Sequence, residues 1–214
     1  MNFITLEKIA KISSGFNPSQ SKESEILPKN HHYSTLSLKN FNQSVCLSKD
    51  YISESLARSA LIDEKFIIRP NDILVKLIAP IWAIFIQAAP PNLIYTHSVA
   101  KISPTSTDFL PEFLAFYLNS LAVKRQLMAN TLQSTTVALI KISDLSKLQI
   151  PLIALSEQTK IVQILRLAQR KNEILHSLIA QNQSFSKAIL DKFTPKTNTN
   201  FTQRTAQWKP PKTP

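Results

Sequence analysis

The chain has 214 residues, 43% of them hydrophobic, a net charge of +11, one cysteine (Cys46) and one glycine (Gly15). A single glycine excludes glycine-rich phosphate cradles, the dinucleotide-binding fingerprint and the nucleophile elbow. A single cysteine excludes an intrachain disulfide or a cysteine-built zinc site, and fits a reducing, cytoplasmic setting.

The hydrophobic content is enough for one good core, or for one domain plus a long helix. Basic residues outnumber acidic ones in each of residues 1–155, 156–193 and 194–214. That spread suits a partner presenting phosphates, and equally an ordinary basic protein. The N-terminal stretch carries Glu7 and Lys8 in an amphipathic pattern, unlike a signal peptide. The apolar run Leu77 to Ala89 is interrupted by Pro80 and Gln87 and is too short to span a bilayer.

Three regions are distinct along the chain. Residues 1–155 mix short β-rich runs with one helical pattern. Ile4 to Ile12 alternates apolar and polar until Ser13-Ser14-Gly15-Phe16-Asn17-Pro18 breaks the run. Tyr33 to Leu38 reads as a strand. Lys65 to Arg69 and Ile73 to Ile78 are β-branched runs around the turn signal Pro70-Asn71-Asp72. Ile81 to Ala88 and Ser98 to Ile102 continue the β pattern. Pro111 to Ala129 then turns helical, with Phe113, Leu114, Tyr117, Leu118, Leu121 and Leu127 at three- and four-residue spacing and Asp108 as its expected cap. A polar stretch, Thr131 to Thr136, precedes Val137 to Ile142.

Residues 156–193 read as one long helix. Ser156 suits the N-cap, Glu157 favours the first turn, and no Pro or Gly interrupts the chain from there to Phe193. A seven-residue repeat places Ile161, Ala168, Leu175, Asn182 and Ile189 at one position. Ile164, Lys171, Leu178, Phe185 and Lys192 fall at the partner position, and Leu165, Ile179 and Phe193 widen the stripe. Such a seam predicts pairing with another helix, and Asn182 on it would fix register. Residues 194–214, rich in Thr, Asn, Lys and Pro without periodicity, are expected to be disordered.

Little in the sequence points to catalysis. His31, His32, His97 and His176 have no metal-ligand spacing. The adjacent pair His31-His32 lies either in a loop or on a strand that points the two rings in opposite directions. Asp63-Glu64-Lys65 and Asp72 with Lys76 are the nearest thing to a metal-dependent nuclease site, and both also read as turn residues beside strands. Pro90-Pro91 follows Ala89, so no amino-methyltransferase motif is present. Candidate nucleic-acid contacts are more numerous. Lys22, Lys29, His31, His32, Lys39, Arg58, Lys76, Lys101, Lys124 and Arg125 are interspersed with Asn17, Gln20, Asn30, Asn40, Asn42 and Gln43. Amides can read adenine and Arg or Lys can read guanine in the major groove, although such residues occur on any surface.

Several local motifs, in this order, resemble the repeat of the specificity (S) subunit of type I restriction-modification systems. Leu6 to Ser19, ending in Ser14-Gly15-Phe16-Asn17-Pro18-Ser19, is similar to the family's opening. Asn71-Asp72-Ile73-Leu74 resembles its Gly-Asp-Ile-Leu strand entry, and Tyr95-Thr96-His97 through Ile102 the short strand after it. Phe113 to Ser120 looks like its helix motif, and Gln133-Ser134-Thr135-Thr136 like its polar turn. Ile150-Pro151-Leu152 followed by Leu155-Ser156-Glu157-Gln158 and Ile161 is the most specific match, at the start of the long helix. Against the family pattern, Asn71 and the region of Gln133 lack the usual glycine, and Ala154 stands for a proline. Asn71 can still take left-handed geometry.

The resemblance implies an α+β chain: one mixed α/β target recognition domain (1–155), a coiled-coil-like spacer helix (156–193) and a disordered tail. It implies a non-catalytic protein that reads half of a bipartite site on double-stranded DNA. It further implies docking to methyltransferase subunits and, through them, the restriction subunit. S-adenosylmethionine and ATP would belong to those partners, leaving this chain without a cofactor. The family usually has two repeats; this sequence shows one, and Phe201 to Lys209 looks like the lead-in to another. A homodimer through the long helix would restore the pair. DNA contact is expected from Asn17, Gln20, Lys22, Lys29, His31, His32, Lys39, Lys76, Ser134, Thr135 and Thr136. Pairing is expected from Ile161, Ile164, Ala168, Leu175, Leu178, Asn182, Phe185 and Ile189. The alternative is an interaction protein, pairing with a methyltransferase or another S subunit with little DNA contact of its own.

Overall fold

A computed structural model describes residues 2–17, 31–41, 45–47, 53–58, 61–129 and 140–193. Of the expected DNA contacts, Gln20, Lys22, Lys29, Ser134, Thr135 and Thr136 lie outside the described residues, as do Asn30, Asn42, Gln43 and the tail. Contacts divide the chain into two units, Met1–Leu167 and Ala168–Pro214.

The first unit is built on a five-stranded mixed sheet. Its strands are β2 (Ala10–Ser14), β4 (Cys46–Leu47), β6 (Ile73–Lys76), β7 (Ala83–Ile86) and β9 (Val99–Pro104), in the order β2-β9-β6-β7-β4. All pairs are antiparallel except β4 with β7. Both faces are covered, which is why these strands read as near-continuous apolar runs. On one face Ile73, Val75, Ala83, Phe85, Ala100 and Ile102 meet Phe113, Leu114 and Leu118 of helix α1 (Pro111–Leu118) and Val123 of α2 (Leu121–Ala129). On the other, Leu74, Ile84, Ile86 and Val99 meet Leu36, Leu93 and Tyr95. Those residues belong to, or adjoin, a three-stranded sheet of β5 (Ser53–Arg58), β3 (His31–Leu36) and β8 (Leu93–Ile94). A third, two-stranded sheet pairs β1 (Phe3–Thr5) with β10 (Gln149–Pro151), next to the short helix α3 (Ile142–Ser146).

Several sequence expectations are corrected. The alternating run from Ile4 is interrupted by a 3-10 turn at Leu6–Lys8, where buried Leu6 ties its N–H to the Leu148 carbonyl at 3.0 Å. Lys65 to Arg69 is not a strand. Asp63 caps a 3-10 turn at Glu64–Phe66 by accepting from the Lys65 N–H at 2.9 Å. The strand of Tyr33 starts earlier, at His31, and ends at Leu36; Ile81 to Ala88 contributes only Ala83–Ile86. Pro111 to Ala129 is two helices, split because the Asn119 side chain leaves the helix to bond β7 and the Ser120 hydroxyl accepts the Val123 N–H. Asp108 does not cap α1. Leu110 holds the cap position and Pro111 the first turn, where its missing N–H costs nothing.

Helix α4 runs from Leu155 to Phe193, 39 residues and roughly 58 Å of rise. It begins one residue before Ser156, because the Ala154 carbonyl already accepts from Glu157 and Gln158; Ser156 is therefore inside the first turn. Gln158 and Val162 are buried and Ile161 packs partly against the core, so the opening turns belong to the first unit. In the second unit, every residue from Arg170 to Phe193 is exposed.

Candidate functional site

Only Asn17, His31, His32, Lys39 and Lys76 of the expected DNA contacts can be placed. Gly15 organises the neighbourhood of Asn17. The Phe16 N–H donates to the Tyr95 carbonyl at 2.8 Å and the His97 N–H to the Phe16 carbonyl at 3.0 Å. The two segments run so close that a Cβ on residue 15 would overlap the Thr96 carbonyl and lie 2.8 Å from the Tyr95 oxygen. One glycine survives in this chain where backbone meets backbone. Thr96 in turn accepts from the Val99 N–H, and Val99 pairs with Lys76 across β9 and β6, so backbone contacts link the Phe16 segment, which precedes Asn17, to Lys76.

His31 joins the same neighbourhood from the small sheet. It pairs with Arg58 across β3 and β5, and the Arg58 guanidinium lies 5.1 Å from the centre of the Phe16 ring. Phe16 meets Phe66 edge-on at 5.6 Å, and the Lys65 ammonium sits 5.0 Å from the Phe66 ring. Aromatic rings bracketed by cations are a contact type that nucleic-acid surfaces use, and also one that stabilises a fold. Arg58 is nearly fully buried, which favours the second role for it. His32 is exposed and His31 half-buried, the strand alternative for this pair. Lys39 is not brought to them. It sits in the 3-10 turn Leu38–Asn40 beyond the far end of β3, which Ser37 caps.

Lys101, Asp72 and Tyr95 form a buried polar network. The Asp72 carboxylate accepts from the Arg69 N–H at 2.8 Å and the Ser103 hydroxyl at 2.6 Å. The Lys101 ammonium donates to the Ile67 carbonyl at 2.8 Å and stands 3.8 Å from Asp72. Burial lowers the Lys101 pKa, with Asp72 opposing the shift. Tyr95 shares a 2.9 Å hydrogen bond with Ser13, and burial pushes its phenol up to about 12. One Asp72 oxygen closes the turn that Asn71 enters at φ 71°, and the other ties that turn to Ser103 of β9. That is the structural reading of Asp72 rather than the nuclease one. Asp63 is likewise a turn cap, its carboxyl held low mainly by the Lys65 N–H. Among the described residues no group of three His, Cys, Asp or Glu could hold a metal ion.

The start of α4 is attached through the Gln158 side chain. Gln158 is completely buried. Its Oε1 accepts from the Leu110 N–H at 2.9 Å, and its Nε2 donates to the Asp108 and Ile153 carbonyls, both at 2.8 Å. Further along the helix, still within the first unit, the Arg166 guanidinium forks onto both oxygens of buried Glu112. That hydrogen bond raises the Arg166 pKa further above its ordinary value. The Ser156-Glu157-Gln158 motif pointed to a helix start; nothing in the pattern marked Gln158 as its anchor or Arg166 as a partner for Glu112. Of the expected pairing residues, Ile161 packs against the domain core, whereas Ile164, Leu175, Leu178, Phe185 and Ile189 are large exposed hydrophobics and Ala168 and Asn182 are exposed. No described helix is long and apolar enough to cross a membrane.

A layered mixed-sheet domain leading into one long helix is the fold of solved type I system chains. A chain from a structure describing complex assembly and conformational transition of the type I R-M system matches with TM-score 0.61 and 22% identity over 89% of this chain and 45% of that one. The HsdS subunit from Thermoanaerobacter tengcongensis matches with TM-score 0.57 and 22% identity over 89% and 44%. The type I restriction modification DNA specificity domain family matches residues 1–182, and the chain belongs to that family. The type I restriction enzyme EcoBI specificity subunit of Escherichia coli is 28% identical over 129 residues, 58% of this chain and 27% of that protein. The chain thus spans about a quarter of that relative and under half of the solved chains.

Proposed function

We propose that this chain is a sequence-specific DNA-binding specificity subunit of a type I restriction-modification complex. It reads one half-site of a bipartite target, docks methyltransferase subunits and, through them, the restriction subunit, and is not itself an enzyme. The observation that carries the reading is the match to the DNA specificity domain over residues 1–182. Asn17, His31, His32 and Lys76, with Gln20, Lys22, Lys29, Lys39 and Ser134 to Thr136, are its proposed DNA contacts. Residues 1–155 carry recognition, 156–193 the spacer helix, and two copies pair through that helix to give two recognition domains. The pairing draws support from the exposed apolar stripe of α4. Base contacts would specify the site and Lys contacts to phosphate would supply salt-dependent affinity.

The test is selection of bound duplexes from a random pool by the full chain, alone and with a type I methyltransferase subunit. Enrichment of an interrupted palindrome is the expected result. Failure to enrich any sequence in either condition overturns DNA recognition. Stable association with the methyltransferase in that case would leave the interaction-protein reading, which rests on the same helix stripe.

A further inference from the structure

The connection between β6 and β7 departs from the usual chemistry of a turn. The Lys76 N–H donates to the Trp82 carbonyl at 2.9 Å, and the residues beyond that bond are Leu77-Ile78-Ala79-Pro80-Ile81. Apart from Pro80, none is a residue that turns ordinarily use. Leu77 is buried, Ile78, Ile81 and Trp82 are half-buried, and Ala79 and Pro80 are exposed. The connection at the other end of β7, residues 87–92, begins and ends on an amide instead.

The tip is held firmly from below. The Leu77 N–H donates to the Ser98 carbonyl and its carbonyl accepts from the Ile140 N–H, both at 2.9 Å. Ile81 and Trp82 pack against the core beneath α1, and Trp82 also against the layer between the two sheets. The Ala83 N–H donates to the Asn119 side chain at 2.8 Å. A side chain presented from such a base loses little freedom on contact with a partner.

Three lysines flank the tip. Lys76 ends β6, and Lys141 follows Ile140. Lys39 lies in the turn after β3, and Phe41 just beyond it belongs to the cluster that Trp82 packs against. β3 runs parallel to β8, which leads through Tyr95 and His97 to the start of β9 beside Lys76. The turn after β3 is therefore at the hairpin end, and His31 and His32 are at the other. Lys39 and Lys141 are exposed and Lys76 is half-buried. None of the three forms an ion pair among the described residues, whereas Lys65, Arg69 and Lys101 each do.

Resting on the reading that this chain recognises double-stranded DNA, we propose that the β6–β7 tip enters the major groove and reads the C5-methyl of thymine through Ala79 and Pro80. Lys39, Lys76 and Lys141 hold flanking phosphates. The major groove admits a two-stranded ribbon, and the thymine methyl is the apolar group among its base edges. The bulky members of the tip, Ile78, Ile81 and Trp82, are the half-buried ones. The tip therefore meets base edges and does not drive a large side chain between stacked pairs. Of the proposed contacts, Asn17, Lys39 and Lys76 share this end, and base discrimination is assigned to it.

The experiment uses the full chain, with a type I methyltransferase subunit, and the duplex it selects from a random pool. Thymines of the selected site are replaced one at a time by uracil, which removes only the methyl. At least one replacement should weaken binding about fourfold, the worth of one buried methyl. Ala79→Ser or Pro80→Ser should bind the thymine and uracil duplexes alike at that position, while His32→Ala keeps the difference. Lys39→Ala and Lys141→Ala should weaken all sequences evenly and each lower the salt slope by about one. The uracil scan of the unaltered chain does not depend on any variant folding. A selected site indifferent to uracil throughout, or a uracil penalty that survives in both tip variants, overturns the tip assignment and leaves DNA recognition standing. Failure to enrich any sequence overturns both.

Discussion

Arg166 and Glu112 are bound asymmetrically: the carboxylate is buried while its guanidinium partner is more than half exposed. Removing the two ends therefore has unequal effects. Arg166→Ala leaves a buried, unpaired carboxylate and should cost about 2 kcal/mol. Glu112→Gln removes the charge but keeps the shape, leaves Arg166 to water, and should cost under about 1 kcal/mol. Urea denaturation of the two variants tests this, and equal losses would contradict the asymmetry.

Gln158 is the polar counterpart of a core residue. Gln158→Leu keeps the volume but strands the Leu110 N–H and the Asp108 and Ile153 carbonyls, so it should destabilise by about 2–4 kcal/mol. Gln158→Glu keeps an acceptor for Leu110 and loses both donations. Hydrogen exchange of the Leu110 amide should quicken for Gln158→Leu more than for Gln158→Glu.

Gly15→Ala forces the Gly15 and Thr96 segments apart. The expected cost is at least about 2 kcal/mol, with Thr96→Ala unable to rescue it because the overlap is with backbone. Thermal melting of the single and double variants distinguishes backbone from side-chain crowding.

Tyr95 makes stability pH-dependent on the alkaline side. Its folded pKa of about 12 lies above the ordinary value of 10.0, so folding favours the protonated phenol. The contribution is fully present below pH 10 and is lost as pH rises toward 12, by roughly 2–3 kcal/mol at most. Tyr95→Phe should be less stable at pH 8, for want of the Ser13 bond, yet lose less between pH 10 and 12. Parallel slopes for the two proteins in denaturant titrations would rule the Tyr95 contribution out.

Asn119 bridges α1 to β7 through the Ala83 N–H and carbonyl and also holds the Ala115 carbonyl. Asn119→Asp has no donors for those two carbonyls and sets charge against them. It should cost about 2–3 kcal/mol, and more than Asn119→Ser, measured by the same denaturation.

The sequence pattern carried the elements that stand on strong periodicity. The β-branched runs at Ile73 and Val99 and the unbroken repeat after Leu155 were legible because packing on both faces, or on one stripe, leaves a regular signature. β5, Ser53–Arg58, was not: its leading residues are exposed and polar, and its pairing with β3 is made by backbone. The Lys65 run misled because its apolar content packs around a capped turn. Asn71 was legible in detail, since its left-handed geometry fits a position where the resembling motif has glycine. The candidate site was less so. Arg58 and Lys101 looked like surface cations and are buried in contact with aromatic rings. Residue type alone does not say which side of a strand faces water.

The hydrogen bonds of Gln158 have a further consequence. Apolar contacts tolerate a helix rolling about its own axis, whereas three directed bonds and a bidentate fork do not. They set the rotational phase of α4 over the turns that belong to the first unit. Inserting one residue between Gln158 and Val162 would keep the helix and the Gln158 bonds, yet turn Val162 out of the core and Arg166 away from Glu112 by about 100°. Gln158 thus works as an index mark, and the Arg166 fork is in phase only when counted from it.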